Sequence, residues 1–217
     1  MVERDDVRRS YDELAATYAT QRIEDGRGTE ILDGFLDSLG DPRRILDAGC
    51  GQGTPVLSRI SADTSAVGVD FSREQLRLAD GNTPDAALTQ GDMTDLPFAD
   101  GVFDAVVAYW SLIHVPMAAH QRVIDEFARV LCPGGHVLLC EGTNEWAGEN
   151  PDWLNSGVSM AWDIAGAERT RSHLRASGFS VIERWGIPDS LDADEDGEDD
   201  RADGDEPWTV FDARLDG

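Results

Sequence analysis

Nine consecutive residues, Ile45-Leu46-Asp47-Ala48-Gly49-Cys50-Gly51-Gln52-Gly53, constrain this chain more than any other segment. A short apolar strand over residues 44–46 ends in an acid, Asp47. Three glycines at alternate positions follow, and helical spacing resumes over 55–60. A turn so bare of side chains lets a ligand approach backbone N–H groups, and it opens onto a helix N-terminus. Strand, glycine turn and helix in succession begin an α/β unit. The dinucleotide fingerprint needs a small residue, normally Gly, one position after Gly53, where this chain has Thr54. Asp47 would also repel a pyrophosphate, yet it could attract the ammonium end of an amino-acid-like ligand. The competing reading is a turn that serves only strand–helix packing, because short glycine motifs are weak evidence.

The next segments repeat the theme. Ala66-Val67-Gly68-Val69-Asp70 is a second apolar strand ending in an acid, placed where a carboxylate can accept from both hydroxyls of a ribose. Ser72 and Gln75 make an S-x-x-Q capping box, so Ser72 is expected to cap the following helix and leave Asp70 to a ligand. A third strand over 86–90 runs into Gly91-Asp92-Met93-Thr94-Asp95-Leu96-Pro97-Phe98. There Asp92 can accept from an adenine amino group with Met93 packed on the ring, or it can simply close an Asx-turn. A fourth strand over 103–109 leads into Trp110-Ser111-Leu112-Ile113-His114. A helix over 118–131 stops at Pro133-Gly134-Gly135, and a fifth strand follows over 137–140. Residues 179–185 and 208–214 read as two more strands.

These pieces, in this order from about Tyr11 to Leu139, resemble the class I S-adenosylmethionine-dependent methyltransferases. Within them the chain is most similar to the small-molecule branch related to the quinone-biosynthesis enzymes, the type 11 methyltransferase domain. The resemblance rests on Leu46-Asp47-Ala48-Gly49-Cys50-Gly51, Gly68-Val69-Asp70, Gly91-Asp92-Met93 with Leu96-Pro97-Phe98, Phe103-Asp104 and Arg129-Val130-Leu131-Cys132-Pro133-Gly134-Gly135. It implies a Rossmann-like three-layer α/β/α sandwich. Its seven-stranded, mostly parallel sheet would run 3-2-1-4-5-7-6, with the last strand antiparallel. A single domain over 1–217 is expected, with an N-terminal helical cap over 1–40.

The resemblance also implies S-adenosylmethionine as cofactor. Asp47, Gly49 and Gly51 would hold its methionine end, Asp70 the ribose, and Asp92 with Met93 the adenine. Cys50, Phe71 and Trp110 flank these positions and join the same candidate site. Tyr18 and Arg22 match family positions that approach the methionine end, although a plain amphipathic helix would look the same. The implied reaction is methyl transfer to a small-molecule acceptor. A cofactor-binding regulatory protein without turnover and an NAD-dependent oxidoreductase are the alternatives.

Two regions are candidates for acceptor binding. Tyr11, Leu14, Ala15 and Tyr18 share one helical face near the N-terminus. Residues 144–166 read as a long irregular connection with Trp146, Trp153, Met160 and Trp162, and such loops in compact domains are usually functional. That segment is expected to be a substrate lid, with Trp146 and Trp162 lining the acceptor pocket beside Tyr11 and His114. His114, at the carboxyl end of a strand, is also the candidate general base. A structural hydrogen bond to the N-terminal helix is its other reading.

Charge narrows the field. The net charge is −25, and every basic residue is Arg. Such a surface argues against nucleic-acid partners, and the absence of Lys excludes Schiff-base chemistry and a Walker-type lysine. It suits a protein working in molar salt, where self-repulsion is screened within ~3 Å. Residues 189–206 carry −10 of the total and read as an acidic loop between the last two strands. Asp192-Ala193-Asp194-Glu195-Asp196-Gly197 begins like an EF-hand loop, but strands flank it and no metal site is expected. Cys50, Cys132 and Cys140 have neither disulfide nor metal spacing, so they are read as packing residues. No secretory or membrane-spanning segment is evident, which points to a cytoplasmic monomer or homodimer.

Overall fold

The computed structural model describes residues 2–21, 25–188 and 206–217. Two helices, α1 (Arg4–Gln21) and α2 (Arg27–Ser38), precede β1 (Arg44–Ala48). Alternation then begins with α3 (Val56–Asp63), β2 (Ser65–Asp70), α4 (Arg73–Asn82), β3 (Ala87–Gln90) and β4 (Phe103–Ala108). It continues with α5 (His120–Val130), β5 (Leu131–Gly142), β6 (Trp146–Trp153), β7 (Val158–Ile164) and α6 (Ala167–Ala176). Two strands, β8 (Phe179–Ile187) and β9 (Trp208–Leu215), complete the chain.

Seven strands form one sheet in the order β3-β2-β1-β4-β5-β9-β8. Strands β1 to β5 are mutually parallel, and β9 runs antiparallel between β5 and β8. With the separate β6–β7 hairpin set aside, this is the expected Rossmann-like order with its antiparallel last strand. Alternation along β1 shows why the sheet needs both faces covered. Ile45 packs with Leu32 and Phe35 of α2 and Leu57 and Ile60 of α3. Its neighbour Leu46 packs with Ile124 and Phe127 of α5 and Leu174 of α6. Helix α5 follows helical spacing: Val123, Ile124, Phe127 and Val130 are all fully buried.

Two expectations need correction. The strand after Pro133-Gly134-Gly135 was expected at 137–140, yet β5 starts at Leu131, directly after α5. The Pro-Gly-Gly segment is absorbed as a break in the β4–β5 register between Phe103 and Ala105. Residues 144–166 are not irregular. They form the antiparallel hairpin β6–β7, whose pairing slips only between Asn150 and Trp153, around Pro151. Val158, Met160 and Ile164 are buried at period two on β7, and that pattern outweighs the Gly, Asn and Pro content.

The hairpin and α1 share a small third core of Val7, Leu14, Trp153, Val158 and Met160. Helix α1 is tied to the sheet side through Asp12. Its carboxylate accepts from Ser72 Oγ at 2.7 Å and Glu74 N at 3.3 Å, at the start of α4. Helix α1 lies against α4 and β7, and β7 packs in turn on the loop after β4. Arg22 and nearly all of the acidic loop, including its EF-hand-like stretch, lie outside the described residues.

Candidate functional site

A cavity that opens in part to solvent lies where α/β sheets bind ligands, outside the carboxyl ends of β1, β2 and β4. Its wall includes Asp47, Gly49, Cys50, Gly51, Asp70 and Phe71. Asp92, Met93, Trp110, His114, Tyr11 and Tyr18 also line it. Trp146 and Trp162 do not reach it. Trp146 is half exposed and packs at a tilt against Trp162, which in turn packs against Trp153 and His114.

The glycine turn works differently from the expectation. Gly49 N and Cys50 N both donate to Val69 O, at 2.8 and 3.1 Å, Gly53 N donates to Cys50 O, and Gly51 N donates to Asp70 Oδ2 at 2.9 Å. These four N–H groups are satisfied within the protein and are not open to a ligand. What it offers is a wall without side chains. Gly49 sits at φ +80°, and a Cβ there would lie 2.3 Å from Ser111 Cβ. The Ser111 hydroxyl meanwhile donates to Ala48 O at 2.8 Å, locking the loop after β4 onto the turn. The buried Cys50 thiol is held protonated by burial and by the nearby Asp70 and Asp47 carboxylates. Trp110 has a left-handed backbone (φ 49°), an arrangement that costs a bulky residue about 1–2 kcal/mol and gathers at functional sites.

Asp70 is not left free by the cap, as had been expected. Its Oδ1 accepts from Ser72 N at 2.8 Å while Oδ2 holds Gly51 N. Each carboxylate oxygen keeps a second acceptor site, so it can still receive hydroxyl donors. Burial pushes its carboxyl up to about 6, partly offset by those two N–H donors. Ser72 does cap α4, accepting from Gln75 N at 3.2 Å. The return half of the capping box is missing, because Asp70 already occupies the Ser72 N–H. The Gln75 carboxamide is therefore left in the cavity wall, almost fully buried, with neither Nε2 nor Oε1 hydrogen-bonded. An unpaired buried polar group costs about 1–3 kcal/mol.

Asp92 makes the Asx-turn: Oδ1 accepts from Thr94 N and Thr94 Oγ1, both at 2.8 Å. Its Oδ2 pairs with Arg4 from the first turn of α1. No motif marks Arg4, so this contact could not be read from the chain.

His114 carries the hydrogen bond to the N-terminal helix. Ala161 O can only accept, so His114 Nδ1 donates to it at 3.2 Å, and Nε2 accepts from Tyr11 Oη at 2.8 Å. Burial lowers the imidazole to about 4, so it is neutral at physiological pH. This bridge joins the loop after β4, α1 and β7 in one place. Tyr11 packs edge-on to Tyr18 and Trp153, with ring centroids 5.5 and 5.9 Å apart.

A methyltransferase domain model matches residues 46–139. A demethylmenaquinone methyltransferase of Beutenbergia cavernae is 34% identical over 147 residues, which is 65% of this chain and 60% of that protein. An uncharacterized methyltransferase of Synechocystis is 31% identical over 152 residues, 68% of this chain and 71% of that protein. The solved structure of a cyclase, SpnF, has a TM-score of 0.70 at 24% identity, covering 97% of this chain and 95% of that one; this likeness speaks for the fold alone. Matches to demethylmenaquinone methyltransferases span 60% or less of those proteins' length.

Proposed function

This chain belongs to the S-adenosylmethionine-dependent methyltransferases, and we propose that it transfers a methyl group to a small-molecule acceptor beside α1 and the β6–β7 hairpin. One observation carries this reading. The acids ending β1 and β2, the side-chain-free glycine turn and the neutral Tyr11–His114 pair all face one cavity. The residues present fit the cofactor. Asp47 would take the ammonium of its methionine end, Asp70 the ribose hydroxyls, and Phe71 and Met93 the adenine ring. Asp92 would border the adenine alongside Arg4, and Tyr18, with Arg22, would border the methionine end. The bound cofactor supplies an electrophilic methyl on a sulfonium.

The protein's own work is then positioning. Holding two reactants in line can lower a barrier by ~7–11 kcal/mol. His114 is too weakly basic to hold a proton at neutral pH. Its role in this reading is to fix Tyr11 at the acceptor's edge, with the hairpin as lid and α1 as cap. Because four of the turn's N–H groups are already bonded within the protein, a dinucleotide pyrophosphate would find few donors there, which weighs against the oxidoreductase alternative.

The acceptor is read as a small molecule, not a nucleic acid, because the surface lacks a basic footprint. The same surface, with 43 acids against 18 arginines, supports a working environment of molar salt inside the cell. The direct test incubates the protein with methyl-tritiated S-adenosylmethionine and a metabolite extract at high salt. Label is expected in a low-mass product only when protein is present. S-adenosylhomocysteine binding without any transfer would favour the regulatory alternative, since a shared fold does not fix the reaction.

A further inference from the structure

We propose that Gln75 is a cofactor-reading residue, its carboxamide hydrogen-bonding the ribose hydroxyl beside Asp70. The inference rests on the cofactor reading above and adds a residue that no sequence motif assigns to it.

The wall of the cavity contains two glutamines, and they are in opposite states. Gln52 is locked: its Nε2 donates to Thr54 O at 3.0 Å, and its Oε1 accepts from Asn82 Nδ2 at 2.6 Å. Gln75 is 1% exposed, yet its amide has no partner at either end. Its local partner, the Ser72 N–H, is taken by Asp70 Oδ1 at 2.8 Å. Its backbone N–H is held by Ser72 Oγ at 3.2 Å, which fixes the residue's place in the first turn of α4.

Its position suggests the ligand group. Gln75 Oε1 lies 3.8 Å from where a Cβ on Gly51 would stand, and Gly51 N is the group that braces Asp70 Oδ2 at 2.9 Å. Gln75, Gly51 and Asp70 therefore form one polar corner. A carboxamide both donates and accepts, and so does a hydroxyl, whereas Asp70 as a carboxylate can only accept. The two side chains are complementary readers of a vicinal diol.

The test uses Gln75→Met, which keeps length and removes the amide, and Gln75→Glu, which keeps shape and acceptors but removes the donor. Calorimetry is run with S-adenosylhomocysteine and with 5′-methylthioadenosine, which lacks the amino-acid end; ligand-free melting is measured alongside. Both variants are expected to bind both ligands about tenfold more weakly, the size of one lost hydrogen bond. Gln75→Met is expected to melt at or above the wild type without ligand. Wild-type affinity in both variants would overturn the proposal. A loss confined to S-adenosylhomocysteine would overturn it too, placing the contact at the amino-acid end. Weaker binding that tracks a lower melting temperature in both variants would make Gln75 a packing residue. No binding of either ligand by the wild type would instead sink the cofactor reading itself.

Discussion

Asp70 sits between two roles, bracing the glycine turn and facing the cavity, and its protonation links them. Burial raises its carboxyl from 3.8 to about 6. A raised acid contributes its stability below the unfolded value and loses it as pH climbs through the folded one. The ligand-free protein therefore gives up that contribution between about pH 4 and 6. Hydroxyl donors favour the carboxylate, so a ribose bound there expels the proton. Affinity for S-adenosylhomocysteine is expected to weaken about tenfold per unit as pH falls below 6. Asp70→Ala should remove this dependence and about 1.5–3 kcal/mol of binding, the range for a hydrogen bond to a charged group. Calorimetry across pH 5–7 checks both, and a flat wild-type profile would take Asp70 out of the site. Such strand-end acids were legible in the chain because the apolar run before each one dates its position on the sheet. Gln75 and Arg4 were not legible. One depends on a backbone donor being taken by a residue five positions earlier, the other on α1 folding back across the sheet.

At the scale of elements, local periodicity carried the prediction where one period dominated and failed where two signals competed. The parallel strands and α5 follow from apolar runs and helical spacing. In the hairpin, Asn150, Pro151 and Gly157 carry loop signals that mask the alternation on β7. Its ordering changes what its tryptophans should do. Trp153 is buried against α1, and Trp153→Ala is expected to destabilise the protein by ~3–5 kcal/mol. Trp146 is half exposed, and Trp146→Ala should stay within about 0.5 kcal/mol. Denaturant titrations of the two variants check this, and equal effects would contradict the shared core.

A second element-scale device sits beneath the base of the hairpin. Glu141, fully buried at the end of β5, accepts from Gly142 N at 2.9 Å. Its other oxygen lies 3.7 Å from His120 Nδ1 and 3.5 Å from Thr170 Oγ1. Burial lifts Glu141 to about 7 and holds His120 below its usual range. The favourable contribution of a protonated Glu141 is thus lost as pH rises through 7. Glu141→Gln is expected to gain stability relative to the wild type between about pH 4.5 and 7, read as a difference in melting temperature that grows over this range and levels off above it. A constant difference would mean that Glu141 ionises cheaply beside a protonated His120.

Over the whole molecule, charge governs more than any single pair. Several arginines are spent on near neighbours in exposed helical pairs: Arg77 with Glu74 at 2.8 Å, Arg171 with Glu168 at 2.6 Å, and Arg9 with Asp6. Exposed pairs of this kind are worth ~0–1 kcal/mol each, and salt screens them. Salt also screens the repulsion among the remaining acids, and with a net charge of −25 that repulsion is the larger sum. Between ~0.1 M and ~1 M salt the Debye length shrinks from ~10 to ~3 Å. The melting temperature is therefore expected to rise with potassium chloride over this range, the net result of losing weak attractions and stronger repulsions. Residues 189–206 hold only −10 of the charge, so replacing them with a short Gly linker should leave most of the salt dependence in place. Differential scanning calorimetry of both proteins in a chloride series decides the matter. A flat or falling curve for the wild type would refute adaptation to high salt, and a dependence abolished by the linker would relocate it from the whole surface to that one segment.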